Sequence, residues 1–272
     1  MSTETKSLLT SNQPIATEFV KLPSKGKLYP VGHPLYDKEE VEFHYMCGTE
    51  EDLLTSPALL KRNLVFTNIL KSCLMDKTID PDSLLIPDRT AILTALRATS
   101  YGNMYKVGLN CDNADCNSEF EYEFDLNKLP YKFINEADIQ FPFENKFKFI
   151  LPKSKKEVLF KILTAADDAE IDVNDERMKK MLPNVITEKR ITGRLIYEII
   201  SIDGVTNKTE IANYITAPFP NGIHAFDSLS LRKRIKEVRP GLIMEQEASC
   251  PKCGDNRVFS VPMSPEFFWP SS

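Results

Sequence analysis

The chain has 272 residues, of which 42% are hydrophobic and 27% charged, with a formal net charge of -5. These proportions are those of a folded globular protein and exclude a disordered or fibrous chain. The negative balance excludes a general nucleic-acid binder, which needs a positive field, and no run of about 18 apolar residues is present to span a membrane.

Residues 1–17 are dominated by Ser, Thr, Asn and Gln and have no periodic apolar face, so they predict a flexible arm without the apolar run of a secretory signal. A cytosolic, reducing setting is therefore expected. Structure is expected from Glu18, where Phe19, Val20 and Leu22 lead into turns punctuated by Pro23, Gly26, Pro30, Gly32 and Pro34. Val41, Phe43 and Tyr45 alternate with polar residues at the period of a strand. Thr49 followed by Glu50, Glu51 and Asp52 predicts a helix start, and Ser56 before Pro57 predicts a second, with Leu59, Leu60, Phe66, Ile69, Leu70, Cys73 and Leu74 on one face. A further helix follows Asp88, with Ile92, Leu93, Leu96 and Thr99 inward and Gly102 as its stop.

Tyr105, Val107 and Leu109 alternate into Cys111, and Phe120, Tyr122 and Phe124 alternate out of Cys116, so this cysteine pair belongs at a hairpin tip. The plan recurs around Cys250 and Cys253, between Leu242 and Met244 on one side and Val258 and Val261 on the other. Between the hairpins, Phe147, Phe149 and Leu151 predict a strand. Ser154 with Val158, Leu159, Ile162 and Leu163 predicts a capped helix, and Ile191, Leu195, Ile196, Ile199 and Ile200 predict another. Asp227 or Ser228 is expected to cap a last helix that Pro240 and Gly241 end. The expected fold is α+β: a discontinuous four-cysteine zinc ribbon of antiparallel hairpins with packed helices (residues 18–130 and 240–272), interrupted by an inserted α+β, mainly helical subdomain (131–239).

Six cysteines in a reducing compartment are metal ligands or redox groups more often than disulfides. Structural zinc takes four thiolates at tetrahedral corners, and two cysteines a few residues apart place both sulfurs on one side of a tight turn. Cys111 and Cys116 form one such pair; Cys250 and Cys253, with Pro251 to fix the turn and Gly254 to let backbone N–H groups approach the sulfurs, form the sharper one. The four are the predicted ligands of one structural Zn2+. Lys252 and Arg257 are suitable neighbours for a negatively charged zinc–thiolate centre, whereas Asp112 and Asp115 are expected to face water. Cys47 and Cys73 read as core residues.

A closed four-thiolate site leaves no position for a reactive water. No Gly-rich phosphate loop, G-x-S-x-G elbow or H-E-x-x-H helix is present, His33, His44 and His224 are scattered, and Asp167 and Asp168 read as a solvated helix face. The expectation is a protein that is not an enzyme. Lys153, Lys155, Lys156, Arg232, Lys233, Arg234 and Lys236 read as charged outer faces. The aromatic run Phe267, Phe268 and Trp269 is too apolar to stand in water; it either folds back onto the ribbon or docks into a partner.

With these residues laid out, the chain resembles the baseplate hub proteins of T4-type contractile bacteriophage tails. The likeness runs from Leu22-Pro23-Ser24-Lys25-Gly26 and Leu28-Tyr29-Pro30, through Glu50-Glu51-Asp52 and the stretch Leu53-Leu54-Thr55-Ser56-Pro57, to Tyr101-Gly102-Asn103, both cysteine pairs and Phe267-Phe268-Trp269-Pro270. The resemblance implies a structural or chaperone-like assembly protein of the baseplate hub, working in the host cytoplasm during assembly or retained in the virion tail. The partners it implies are other hub components, the spike and the tape-measure protein. The alternative from the residues is a zinc-ribbon nucleic-acid-binding module centred on Lys252, Arg257 and residues 232–236.

Overall fold

In the computed structural model, which describes residues 16–61, 64–111, 113, 115–181, 190–218, 220–261 and 265–268, the apolar run after Glu18 and the alternating run at Val41 form strands that pair with each other. β1 (Thr17–Lys21) lies antiparallel to β2 (Glu40–His44) with Val20 opposite Val41. Val20, Val41 and Phe43 face the core while Glu18, Phe19 and Lys21 are exposed. The expected arm lies outside the described residues as far as residue 15.

The connection between these strands doubles back on itself at Gly26, whose φ is +70°. A Cβ there would sit 2.3 Å from the Lys38 amide nitrogen and 2.7 Å from the Leu35 carbonyl oxygen, so both the conformation and the space require glycine. The turn carries Ser24 and Tyr29 down to Asp88, which is fully buried. Asp88 accepts from the Ser24 N–H at 2.9 Å, the Ser24 hydroxyl at 2.6 Å and the Tyr29 hydroxyl at 2.8 Å. Burial pushes its pKa up to about 6 even against these three donors.

α1 (Gly48–Thr55) begins one residue ahead of the expected Thr49 cap. The cap is Cys47, whose N–H donates to the Glu50 carboxylate at 2.9 Å and whose thiol donates to it at 2.8 Å. Cys47 is therefore an exposed capping residue, which corrects its reading as core; Cys73 is fully buried, as expected. The apolar run after Ser56 is divided into α2 (Pro57–Lys61) and α3 (Val65–Cys73) instead of forming one helix. α4 (Ile86–Tyr101) buries Ile92, Leu93 and Leu96 and stops at Gly102, where φ is +88°.

β3 (Met104–Asn110) and β4 (Glu119–Asp125) form the first cysteine hairpin. After β5 (Tyr131–Lys132) come β6 (Phe147–Ile150) and β7 (Glu157–Phe160), joined by a turn in which Lys155 has a φ of +60°. β7 replaces the helix expected after Ser154: Val158 and Phe160 are buried and Leu159 less so, a period of two that a helical reading of Val158, Leu159, Ile162 and Leu163 obscures. α5 (Ala165–Met181) and α6 (Arg190–Glu198) follow, and Ile199 and Ile200 open β8 (Ile199–Ile202) where continuation of the helix was expected. β8 completes an antiparallel sheet in the order β6, β7, β8.

α7 (Lys208–Thr216) precedes α8 (Ala225–Val238). The cap of α8 is His224, whose Nδ1 accepts the Phe226 N–H at 3.2 Å, and neither expected residue fills that role. Asp227 is fully buried and turns outward from its helix to accept the Lys153 and Ser154 N–H groups at 2.7 and 2.9 Å. Burial opposes its charge, but those two donors outweigh it and hold the carboxyl below the usual range. β9 (Gly241–Leu242) pairs with β5, and β10 (Glu245–Ser249) with β11 (Asn256–Ser260) closes the second cysteine hairpin. The expected α+β class is met by helices mixed with small antiparallel sheets. One continuous core runs from Val20 and Phe43 through Leu96 and Phe124 to Phe160, Leu195, Leu231 and Phe268.

Replacing Asp88 by alanine leaves three buried or partly buried donors without an acceptor, and is expected to lower unfolding free energy by about 3 kcal/mol or more in urea denaturation. Burial alone would raise the Glu50 pKa, but bonds from Cys47 and Ser72 dominate and bring it from 4.5 down to about 2. A depressed carboxyl stabilises the fold above its unfolded pKa, and that contribution disappears as pH falls through the folded one. Wild type should lose stability between pH 4.5 and about 2, and Glu50→Gln should flatten that part of the profile, as followed by thermal melts.

Candidate metal centre

Each cysteine pair sits where a hairpin has no ladder left to form. β3 ends at Asn110, and the Cys111 N–H still donates to the Ser118 carbonyl at 2.9 Å, which pins the neck of the first loop. Within that loop the Cys116 N–H reaches the Asn113 carbonyl at 2.9 Å, and Asn117 takes a positive φ of 41°, a conformation asparagine tolerates better than most residues. The longer spacer is thereby accommodated. In the second loop the Cys250 N–H donates to the Asp255 carbonyl at 2.9 Å. Gly254, at φ +73°, closes the turn by donating its N–H to the Cys250 carbonyl, and the Cys253 and Lys252 N–H groups approach the Cys250 sulfur as expected.

The two loops converge. The Cys111 and Cys253 sulfurs are 3.6 Å apart, the Cys116 and Cys250 sulfurs 3.9 Å, and all four lie within 4.8 Å of one another. None is in a disulfide, and these separations are far beyond the roughly 2.05 Å of a sulfur–sulfur bond. A tetrahedron with metal–sulfur bonds of about 2.3 Å has edges of about 3.8 Å, so the spacing fits a four-thiolate metal site. Cys111 and Cys250 are buried, Cys116 half-buried and Cys253 exposed.

Sequence reasoning missed Ser118. Its hydroxyl stands 3.2 Å from the Cys116 sulfur and 3.3 Å from that of Cys250, linking the hairpins. The only signal was a hydroxyl two residues after the second cysteine of the first pair. Donation from Ser118, then from the backbone N–H groups of Cys253 and Lys252, pulls the Cys250 pKa down to about 6, and Ser118 likewise lowers Cys116. The Asn113 backbone favours thiolate at Cys111, but burial and the neighbouring sulfurs prevail and raise its pKa to about 12. Sulfurs so divided share protons when no cation is bound; a divalent cation replaces those protons and favours all four thiolates. Arg257 is 2.6 Å from Asp255, so part of its charge is already engaged, while Lys252 is exposed. Asp115 is exposed as expected, and Asp112 lies outside the described residues.

Beyond the sulfurs, the hairpins touch through an edge-to-face pair of Phe120 and Phe259, 6.2 Å between centroids, and a Tyr122 hydroxyl donating to the Glu247 carbonyl at 3.2 Å. Phe267 and Phe268 are fully buried inside this chain. Phe267 packs on Tyr105 at 5.0 Å and Phe268 on Phe66 at 5.7 Å, while the Arg97 guanidinium donates to the Phe267 carbonyl at 2.8 Å. Of the two fates open to the aromatic run, folding back describes these two residues, with α3, α4 and the start of β3 as their seat; Trp269 lies outside the described residues.

The histidines are held in separate structural roles: His33 against Ser83 and stacked on Tyr29, His44 against the Ser72 and Tyr45 carbonyls, His224 as a helix cap. Asp167 is not a solvated side chain; it is half-buried, 2.7 Å from Lys161, and accepts the Thr164 N–H at 2.9 Å. The basic residues around the expected insertion are interrupted by acids, Arg234 lying 2.7 Å from Asp138 and Lys156 3.1 Å from Asp203. Among the described residues, no helix is long and apolar enough to cross a membrane.

The geometry defines a mixed helix and antiparallel-strand protein with a candidate metal centre made by two remote hairpins. The chain belongs to the T4 bacteriophage base plate protein family, whose model matches residues 15–269. No curated protein and no solved structure gives a significant match.

Purified protein treated with a strong chelator is expected to melt on the order of 10 °C lower than metal-replete protein, and Cys250→Ser should reproduce the loss, since structural metal is worth several kcal/mol. Cys47→Ser, outside the cluster, should leave the response to chelator unchanged.

Proposed function

We propose that this chain is a non-enzymatic structural or assembly protein of the hub at the centre of a contractile-tail baseplate, with one Zn2+ on Cys111, Cys116, Cys250 and Cys253 stapling its fold. The single observation that carries the metal part is the convergence of four sulfurs, at tetrahedral spacing, from two hairpins remote in sequence. Membership of the base plate family supports the tail role, and the hub is the finer reading within it. Zinc is preferred over other divalent ions because four thiolates in a closed tetrahedral set are its structural donor set.

On this reading the ion closes the hairpin-bearing part, residues 18–130 and 240–272, around an insertion at 131–239. Four protein donors fill the coordination sphere, so the ion organises the chain and does not activate water. The two hairpins, joined by the ion, then present a defined surface to the other hub components, the spike or the tape-measure protein, during assembly in the host cytoplasm or in the finished tail.

A tagged copy expressed in infected cells is expected to co-purify with tail proteins in stoichiometric amounts, and Cys111→Ser to abolish that recovery. Recovery of the wild-type chain without any tail protein would contradict the proposal. Binding to single- or double-stranded nucleic acid with a steep salt dependence would favour the ribbon-module alternative instead.

A further inference from the structure

Among the described residues, the outer edge of β1 is an unpaired strand edge beside a groove. The Leu22 N–H donates to the Glu39 carbonyl at 2.7 Å, which makes Leu22 and Glu39 a bonded antiparallel pair. Bonded and non-bonded pairs alternate along such a ladder, so Lys21 opposite Glu40 and Phe19 opposite Glu42 are non-bonded pairs. The far side of the ladder agrees: the Glu42 carbonyl points away from β1 and accepts the Met75 N–H at 3.1 Å. The backbone N–H and C=O groups of Phe19 and Lys21 therefore face outward. Among the described residues, no backbone bond is made to them.

Beside that edge lies a cavity of about 270 Å³, whose walls include Phe19, Val20, Ala95, Ala98, Thr99 and Tyr131. Ala95, Ala98 and Thr99 of α4 and Tyr131 of β5 line it together with the residues of β1. Phe19 is 61% exposed at mid-edge, where proteins commonly place lysine, proline or a bulge to discourage pairing. Glu18 and Lys21 flank it with opposite charges.

We propose that this groove takes up an extended segment of another polypeptide, which adds to β1 as a third antiparallel or parallel strand. The outward amides and carbonyls specify an extended backbone as the occupant, since an added strand is what satisfies a row of alternating donors and acceptors. Strand alternation specifies its side chains. Residues turned inward are small and apolar, to rest on Ala95 and Ala98; the residue across from Phe19 is β-branched or aromatic; and an acid is favoured across from Lys21.

The test uses the full chain and a fluorescein-labelled, end-blocked octapeptide of alternating valine and threonine carrying one aspartate. Saturable binding by polarisation is expected, weakened at least about tenfold by Ala98→Arg, which fills the groove, and equally by N-methylating the alternate peptide amides that would meet β1. The methylated peptide leaves the protein untouched, so its effect is independent of any folding defect in the variant. Absence of saturable binding, or binding indifferent to both changes, overturns the proposal. So does sedimentation showing self-association that Phe19→Pro abolishes, which would assign the edge to a second copy.

Discussion

Four sulfur atoms brought within 4.8 Å of one another by loops that lie more than a hundred residues apart are the constraint around which this chain is organised. Closing a segment of that length costs roughly 4 to 5 kcal/mol of chain entropy, whereas zinc on four thiolates in finger peptides is worth roughly 10 to 16 kcal/mol. On the proposed reading, one ion is enough to close the loop and leave a surplus. The residues around the sulfurs are arranged for that outcome: Ser118 bridges the two loops, Asn117 and Gly254 take the positive φ that each turn requires, and the loop necks are pinned by backbone bonds.

The metal centre would be of little use on a soft base, and the hairpins are anchored below. β3 rises directly from α4 at Gly102, and Arg97 on α4 reaches both the Gly102 and Phe267 carbonyls at 2.8 Å, tying the C-terminal turn to the root of the first hairpin. Phe267 and Phe268 fill the space between Tyr105 and Phe66. At the other end of the same helix, Asp88 gathers Ser24 and Tyr29, so the glycine turn near the N-terminus is locked to the scaffold that carries the cysteines. α4 is therefore held at both ends.

Much of this was readable from residue pattern. The hairpins announced themselves by alternation into and out of each cysteine pair, because a strand with one buried face has no other pattern available. The grouping of Cys111, Cys116, Cys250 and Cys253 followed from spacing and thiol chemistry. What escaped was decided by tertiary contacts. Val158, Leu159, Ile162 and Leu163 fit helical spacing while Val158, Phe160 and Ile162 fit extended spacing, and pairing with β6 and β8 selected the strand. Ile199 and Ile200 left α6 for β8 for the same reason. Asp88 and Asp227 looked like helix-start acids, and it is only in three dimensions that they meet donors from segments 64 and 73 residues away. Cys47 as a cap had no signal beyond Glu50 three residues on, since cysteine is rarely read in that role.

On the proposed reading, a closed thiolate centre staples the chain with few residues. The most direct measurement of the central claim is X-ray absorption at the zinc edge on the purified chain. The account predicts one zinc per chain with a first shell of four sulfurs at about 2.3 Å and no nitrogen or oxygen neighbour. A first shell containing light-atom ligands, or protein that holds no zinc while all four thiols remain freely titratable, would contradict it.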